Sequence, residues 1–217
     1  MPGAAPRGGV TGTRHREPYR RPRRPADTGS HGGATVGGMA DAPAGDLLAA
    51  ALLAAGPGAE YAAESDLFGR FDGDWDIAWE GVDGDGRQAT GRGRLTFGWI
   101  LGGRAVQDVW HVELDADADG RRPPGGFHGT TVRFYDPALG AWRSTWIEPF
   151  HGRVRRFIGR VDGDDIVLRS DEDEPQLRWR FTDIGPGSIT WIGELSRDGG
   201  ATWQHDETMR LTRRPGR

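Results

Sequence analysis

Asp74-Trp75-Asp76-Ile77-Ala78-Trp79-Glu80 alternates bulky apolar residues with polar or small ones. A period of two puts Trp75, Ile77 and Trp79 on one face of a strand and the acidic residues on the other. Upstream the period is nearer 3.6. Downstream it stays at two: Leu95, Phe97, Trp99 and Leu101 alternate, and Leu177, Trp179 and Phe181 do so against Arg178, Arg180 and Thr182. Further strands are expected over 106–114, 132–134, 142–146, 153–161, 166–168, 189–195 and 203–211. Most are joined by turns of Gly, Pro or Asp, such as Asp83-Gly84-Asp85-Gly86, Asp136-Pro137, Asp162-Gly163-Asp164 and Gly185-Pro186-Gly187. No helical pattern separates any two strands after residue 74. Parallel pairing needs crossover helices, so the chain predicts an all-β, antiparallel up-and-down barrel of about ten strands, closed to remove its edges.

Ahead of the barrel, residues 39–72 predict one or two short N-terminal helices packing on it. Leu47, Leu48, Ala51, Leu52 and Ala55 form one helical stripe, Asp46 caps it, and Gly56-Pro57 ends it. A second short helix is expected over 60–68, with Tyr61 and Phe68 on one side. Residues 1–38 carry seven Arg against Glu17 and Asp27, a charge of +5, with almost nothing that can bury. Such a segment does not offset its ordering entropy, so a disordered tail, or an upstream start ahead of Met39, is expected. Residues 73–213 are the expected barrel domain.

Composition excludes several chemistries. The chain has no Cys, so disulfides and thiolate ligands are absent. All 28 basic residues are Arg, so lysine Schiff bases and P-loops are absent too. This usage fits a GC-rich bacterial genome. The chain's net −4 leaves −9 for residues 39–217, which argues against nucleic acid as a partner. No apolar run is long enough to span a membrane, and a cytoplasmic location is expected. His111, His128, His151 and His205 lack metal-ligand spacing, no Gly-x-Ser-x-Gly occurs, and no metal is expected.

Several short segments resemble a bacterial family of calycin-like barrels, akin to lipocalins and fatty-acid-binding proteins. They are Phe71-Asp72-Gly73-Asp74-Trp75, Gly102-Gly103-Arg104-Ala105-Val106-Gln107-Asp108-Val109-Trp110, Phe134-Tyr135-Asp136-Pro137 with Trp142-Arg143, Ile158-Gly159-Arg160, and the run Gly193 to Gly200. The resemblance covers about residues 66–213. It implies the fold and a ligand-holding cavity, and no particular activity.

Nine Trp is a high count, and inward aromatics line pockets in barrels. Trp75, Trp79, Trp99 and Trp179 read as core. Trp110 and Trp146 share their faces with carboxylates, Asp108 and Glu148, which are costly to bury unless paired. Arg104, or an Arg within 153–161, is the expected partner unless the face is wet. On the last strand Trp203, His205, Glu207, Met209 and Leu211 share one face, which predicts an inward His205 beside Glu207.

The leading reading is a barrel holding a small hydrophobic or aromatic ligand against Trp110, Trp146, Asp108, Arg104 and Trp203, without a cofactor. The alternative is a cofactor-free isomerase, cyclase or hydrolase with His205 as base and Glu207 or Glu148 as its partner. Haem on His205, as in nitrobindin-like barrels, is a minor variant, since the other nitrobindin motifs are missing. A third reading is a filled barrel that acts as an interaction module, for example as a homodimer. If residues 1–38 bury nothing, a chain beginning at Met39 will melt at the temperature of the full chain. One beginning at Ser65 will melt lower, and thermal unfolding of the three lengths checks both expectations.

Overall fold

The computed structural model describes residues 44–216 apart from 61, 84, 85, 118, 122–125 and 172, so the tail expected over 1–38 lies outside the described residues. Two short helices lead in, α1 (Ala44–Leu52) and α2 (Ala62–Gly69), with a two-residue strand β1 (Leu53–Ala54) between them. The barrel strands are β2 (Gly73–Val82), β3 (Gln88–Ile100), β4 (Ala105–Leu114), β5 (Gly126–Asp136), β6 (Ala141–Glu148), β7 (Arg153–Asp162), β8 (Asp165–Ser170), β9 (Gln176–Thr182), β10 (Ser188–Ser196) and β11 (Gln204–Arg213).

Each strand from β2 onward pairs antiparallel with the next, β11 returns to β2, and the ring of ten is closed. This is the all-β up-and-down barrel expected from the alternation. Trp75, Ile77 and Trp79 of β2, and Leu95, Phe97 and Trp99 of β3, all face inward and are buried, as the period of two requires. No helix among the described residues is long and apolar enough to cross a membrane.

The N-terminal segment differs from the sequence reading in its first helix. Helix α1 stops at Leu52, and Leu53 and Ala54 pair instead with Ile100 and Trp99. The cause lies in β3. It runs three residues beyond the end of its pairing with β2 at Phe97, and those residues leave backbone groups to satisfy. Strand β1 covers that edge, and Leu101 N–H donates to Leu52 O at 2.9 Å. The leucine burial expected of the first helix is formed only in part: Leu47 and Leu52 are half-buried, whereas Leu48 is 68% exposed.

The second helix supplies the packing. Phe68 is fully buried at one end of the barrel, edge-on to Trp142 at 5.0 Å and to Phe181 at 5.9 Å. Phe71, just past the helix, stacks on Phe181 at 5.6 Å. Gly69 is required here by close approach, because a Cβ on it would lie 2.1 Å from the Trp99 ring. Helix α2 thus closes this end as an aromatic plug. Replacing Phe68 with Ala will therefore cost about 3–5 kcal/mol, whereas Leu48→Ala will change stability by no more than about 0.5 kcal/mol. Urea unfolding of the two variants checks the contrast.

Candidate functional site

Ten inward faces leave a lumen that side chains do not fill. A cavity of about 60 Å³ remains inside, bounded by Trp110, Trp146, Trp179 and Trp191, with Asp108 and Arg133 in its wall. At roughly 10–15 Å³ per water centre, this is room for a handful of waters or one small molecule. Trp110 and Trp146 lie nearly parallel, 12° apart with centroids at 6.0 Å. Gly129 is opposite Trp110 on the next strand, and a Cβ there would come within 2.9 Å of Trp146 Nε1. Trp179 stands edge-on to Trp146 at 5.5 Å and 5.3 Å from Trp191. Trp179, read from sequence as core, is therefore also part of the cavity wall.

Asp108 is buried, as its inward position on β4 implies, but its partner is Arg133 of β5. Neither expected partner is used. Arg104 falls in the β3–β4 turn, where it is exposed and pairs with Glu60 at 3.0 Å, so it takes no part in the lumen. Arg133 escaped the sequence reading because Val132 and Phe134 look like the apolar face of β5. The structure has the opposite parity, with Thr131 and Arg133 buried and Phe134 43% exposed. The Arg133 guanidinium lies over the Phe68 ring at 5.1 Å, and over those of Phe97 and Phe181 at 5.7 Å, so the α2 plug seals the charged pair from beneath. Asp108 Oδ1, Arg133 Nε, Ser144 Oγ and Trp146 Nε1 are buried without a hydrogen-bond partner. Each such group costs about 1–3 kcal/mol.

The other sequence-derived candidates are placed as follows. Glu148 is fully buried at the end of β6, but its carboxylate accepts from Phe150 N–H, His151 N–H and His151 Nδ1, the last at 2.7 Å. It organises the β6–β7 turn and does not line the cavity. Glu207 does line it, and accepts from Trp79 Nε1 at 2.6 Å. Gly81 and Gly193 flank it on the adjacent strands, and a Cβ on either would lie 3.0 Å from its side chain. Burial pushes the Glu207 carboxyl up to about 7, against the lowering effect of the Trp79 hydrogen bond and the nearby Arg153 charge, while Asp206 adds to the rise. A depression at the end of the barrel opposite α2, bounded by His151, Phe127, Arg153 and Glu207, shares the last three with the lumen.

His205 does not face inward. A β-bulge interrupts the β10–β11 ladder: Glu207 is opposite Gly193, but His205 is opposite Glu194. The extra residue, Asp206, shifts the parity of everything before it. Glu194 is on the outer face, held by Arg178 at 2.6 Å and Arg180 at 3.1 Å, so His205 is outside as well, exposed and bonded to Thr208 at 2.8 Å. Trp203 is likewise outside the lumen, with the Arg178 guanidinium 4.2 Å from its ring centroid. The His205–Glu207 dyad expected from the alternation is therefore not assembled. Haem does not fit either, since His205 is outside and the cavity is far too small for a macrocycle. Among the described residues no group of three His, Cys, Asp or Glu converges as metal ligands do.

Neither a family model nor a curated protein matches the sequence. Among solved structures, the chain is similar to the S-type phycobiliprotein lyase CPES from Guillardia theta, at 12% identity and TM-score 0.48, covering 71% of this chain and 94% of that one. It is also similar to Rv2717c from M. tuberculosis, at 15% identity and TM-score 0.45, covering 69% and 96%.

The raised Glu207 carboxyl makes a prediction about stability. Below about pH 4.5 the group is protonated whether the chain is folded or unfolded. Between there and about 7 the unfolded chain releases the proton and the folded one keeps it. Stability therefore falls as pH rises across that window, by on the order of 3 kcal/mol, and the fall ends above it. Glu207→Gln will remove this component. Urea midpoints at pH 5 and pH 8 should lie closer together in the variant, which should be the more stable protein at pH 8.

Proposed function

We propose that this barrel binds one small, largely aromatic molecule in its lumen. The observation that carries the reading is the cavity itself: a closed barrel, plugged at one end by Phe68, retains unfilled space bounded by four tryptophans. Small barrels of about eight strands either pack solid or hold one small ligand, and an apolar pocket with a few convergent polar groups is the usual form of a small-molecule site. The indole faces supply apolar contact, and Asp108, Arg133 and Trp146 supply polar contact. Entry is past Phe127, Arg153 and Glu207, at the end opposite the plug.

The alternative of an enzyme using His205 is not carried forward, because the bulge at Asp206 turns that side chain to the outer face. A filled barrel serving purely as an interaction module also loses its motive, since the lumen is not filled.

Thr131 tests the binding reading. It is buried, it lies between Asp108 and Trp146 in the cross-strand row, and it lines the cavity. Thr131→Met puts a flexible apolar side chain into that space. Screening small aromatic compounds by tryptophan fluorescence should find saturable, single-site quenching. Thr131→Met should weaken it more than tenfold while thermal unfolding stays cooperative. Saturable binding that is indifferent to this substitution would place the site elsewhere.

A further inference from the structure

The buried polar atoms without partners are concentrated in one place. Among the described residues they are Asp108 Oδ1, Arg133 Nε, Ser144 Oγ and Trp146 Nε1, all on the inward faces of three consecutive strands, β4, β5 and β6. Register makes them neighbours. Asp108 is opposite Thr131, which is opposite Trp146, and Arg133 is opposite Ser144. Asp108, Arg133 and Trp146 line the cavity. Buried polar groups are nearly always satisfied, so four orphans on one patch of lumen wall describe the hydrogen-bonding complement of whatever occupies it.

Their chemistry is mixed. Arg133 Nε and Trp146 Nε1 only donate, the ion-paired Asp108 carboxylate only accepts, and the Ser144 hydroxyl does either. A hydrocarbon answers none of them. A ligand carboxylate answers the donors but sets a second negative charge against Asp108, and an ammonium answers Asp108 but faces the Arg133 guanidinium. The Asp108–Arg133 pair is already neutral as a unit, so either charge would be buried without a counter-ion. A neutral group with an acceptor and an N–H donor on adjacent atoms answers both sides. The parallel indoles of Trp110 and Trp146 add a flat surface, and about 60 Å³ sets the scale.

We infer that the ligand of this lumen is a compact, planar, uncharged molecule carrying an amide- or lactam-type edge. Its carbonyl is turned to Arg133 Nε and Trp146 Nε1, and its N–H to Asp108 Oδ1. The inference rests on the lumen being a ligand site, and names the class of ligand that the site selects.

The test is a titration of the full-length protein followed by ¹H–¹⁵N NMR, with four single-ring probes: 2-pyridone, toluene, benzoate and benzylamine. The expected result is that 2-pyridone binds at least tenfold more tightly than the other three and shifts the Trp146 indole N–H resonance. Trp146→Phe keeps the aromatic wall and removes one donor. It should weaken 2-pyridone about fivefold more than it weakens toluene, the difference being the worth of one hydrogen bond. If toluene, benzoate or benzylamine binds as tightly as 2-pyridone, and Thr131→Met abolishes that binding, the proposed class is overturned while the lumen stands as a site. If none of the four binds, the class and the reading of the lumen fall together.

Discussion

The buried pair of Asp108 and Arg133 is the constraint around which the rest of this barrel is arranged. Two opposite charges inside a closed lumen gain less from each other than they lose in leaving water, unless something keeps the geometry fixed. Here the fixing elements are identifiable. Register sets Arg133 on the strand next to Asp108. The rings of Phe68, Phe97 and Phe181 surround the guanidinium. Helix α2 brings Phe68 to that position, and it approaches closely enough only because residue 69 is a glycine beneath Trp99. A pair of this kind is weak evidence for stability. It does orient polar atoms inside an apolar space, and the unpartnered Oδ1 and Nε are the part of it left for a ligand.

The two ends of the barrel divide the work. The α2 end is aromatic, closed by Phe68 and Phe71. The opposite end carries Glu207, Arg153 and His151 around a depression that shares Glu207 and Arg153 with the cavity wall. The bulge at Asp206 makes that end what it is, because it leaves Glu207 inside against Trp79 while sending His205 outside. In a ladder without the bulge, residues two apart share a face, so both side chains would have been in the lumen, or neither.

The fold was legible in the sequence because its signals are local. Alternation in stretches such as 74–80 and 177–182, with turn residues between them, gives the strands, and the lack of crossover helices gives their antiparallel order. The site was legible only in part. Asp108, Trp110, Trp146 and Glu207 could be found from parity and from the cost of burying a carboxylate. Arg133 was hidden by the apolar look of Val132 and Phe134, although the need of Asp108 for an inward cation was a signal that could have found it. His205 was misplaced because a one-residue bulge is set by the partner strand, and nothing in 203–211 announces it. The end of α1 was misjudged for a similar reason: the overhang of β3 that recruits Leu53 and Ala54 depends on where β2 stops pairing.

The most direct measurement is a crystal structure of the protein at a resolution that shows ordered solvent. We expect Arg133 paired with Asp108 beneath Phe68, and density for a bound molecule or waters within hydrogen-bonding distance of Asp108 Oδ1, Arg133 Nε and Trp146 Nε1. A lumen packed solid by side chains, with those atoms satisfied by one another, would contradict it.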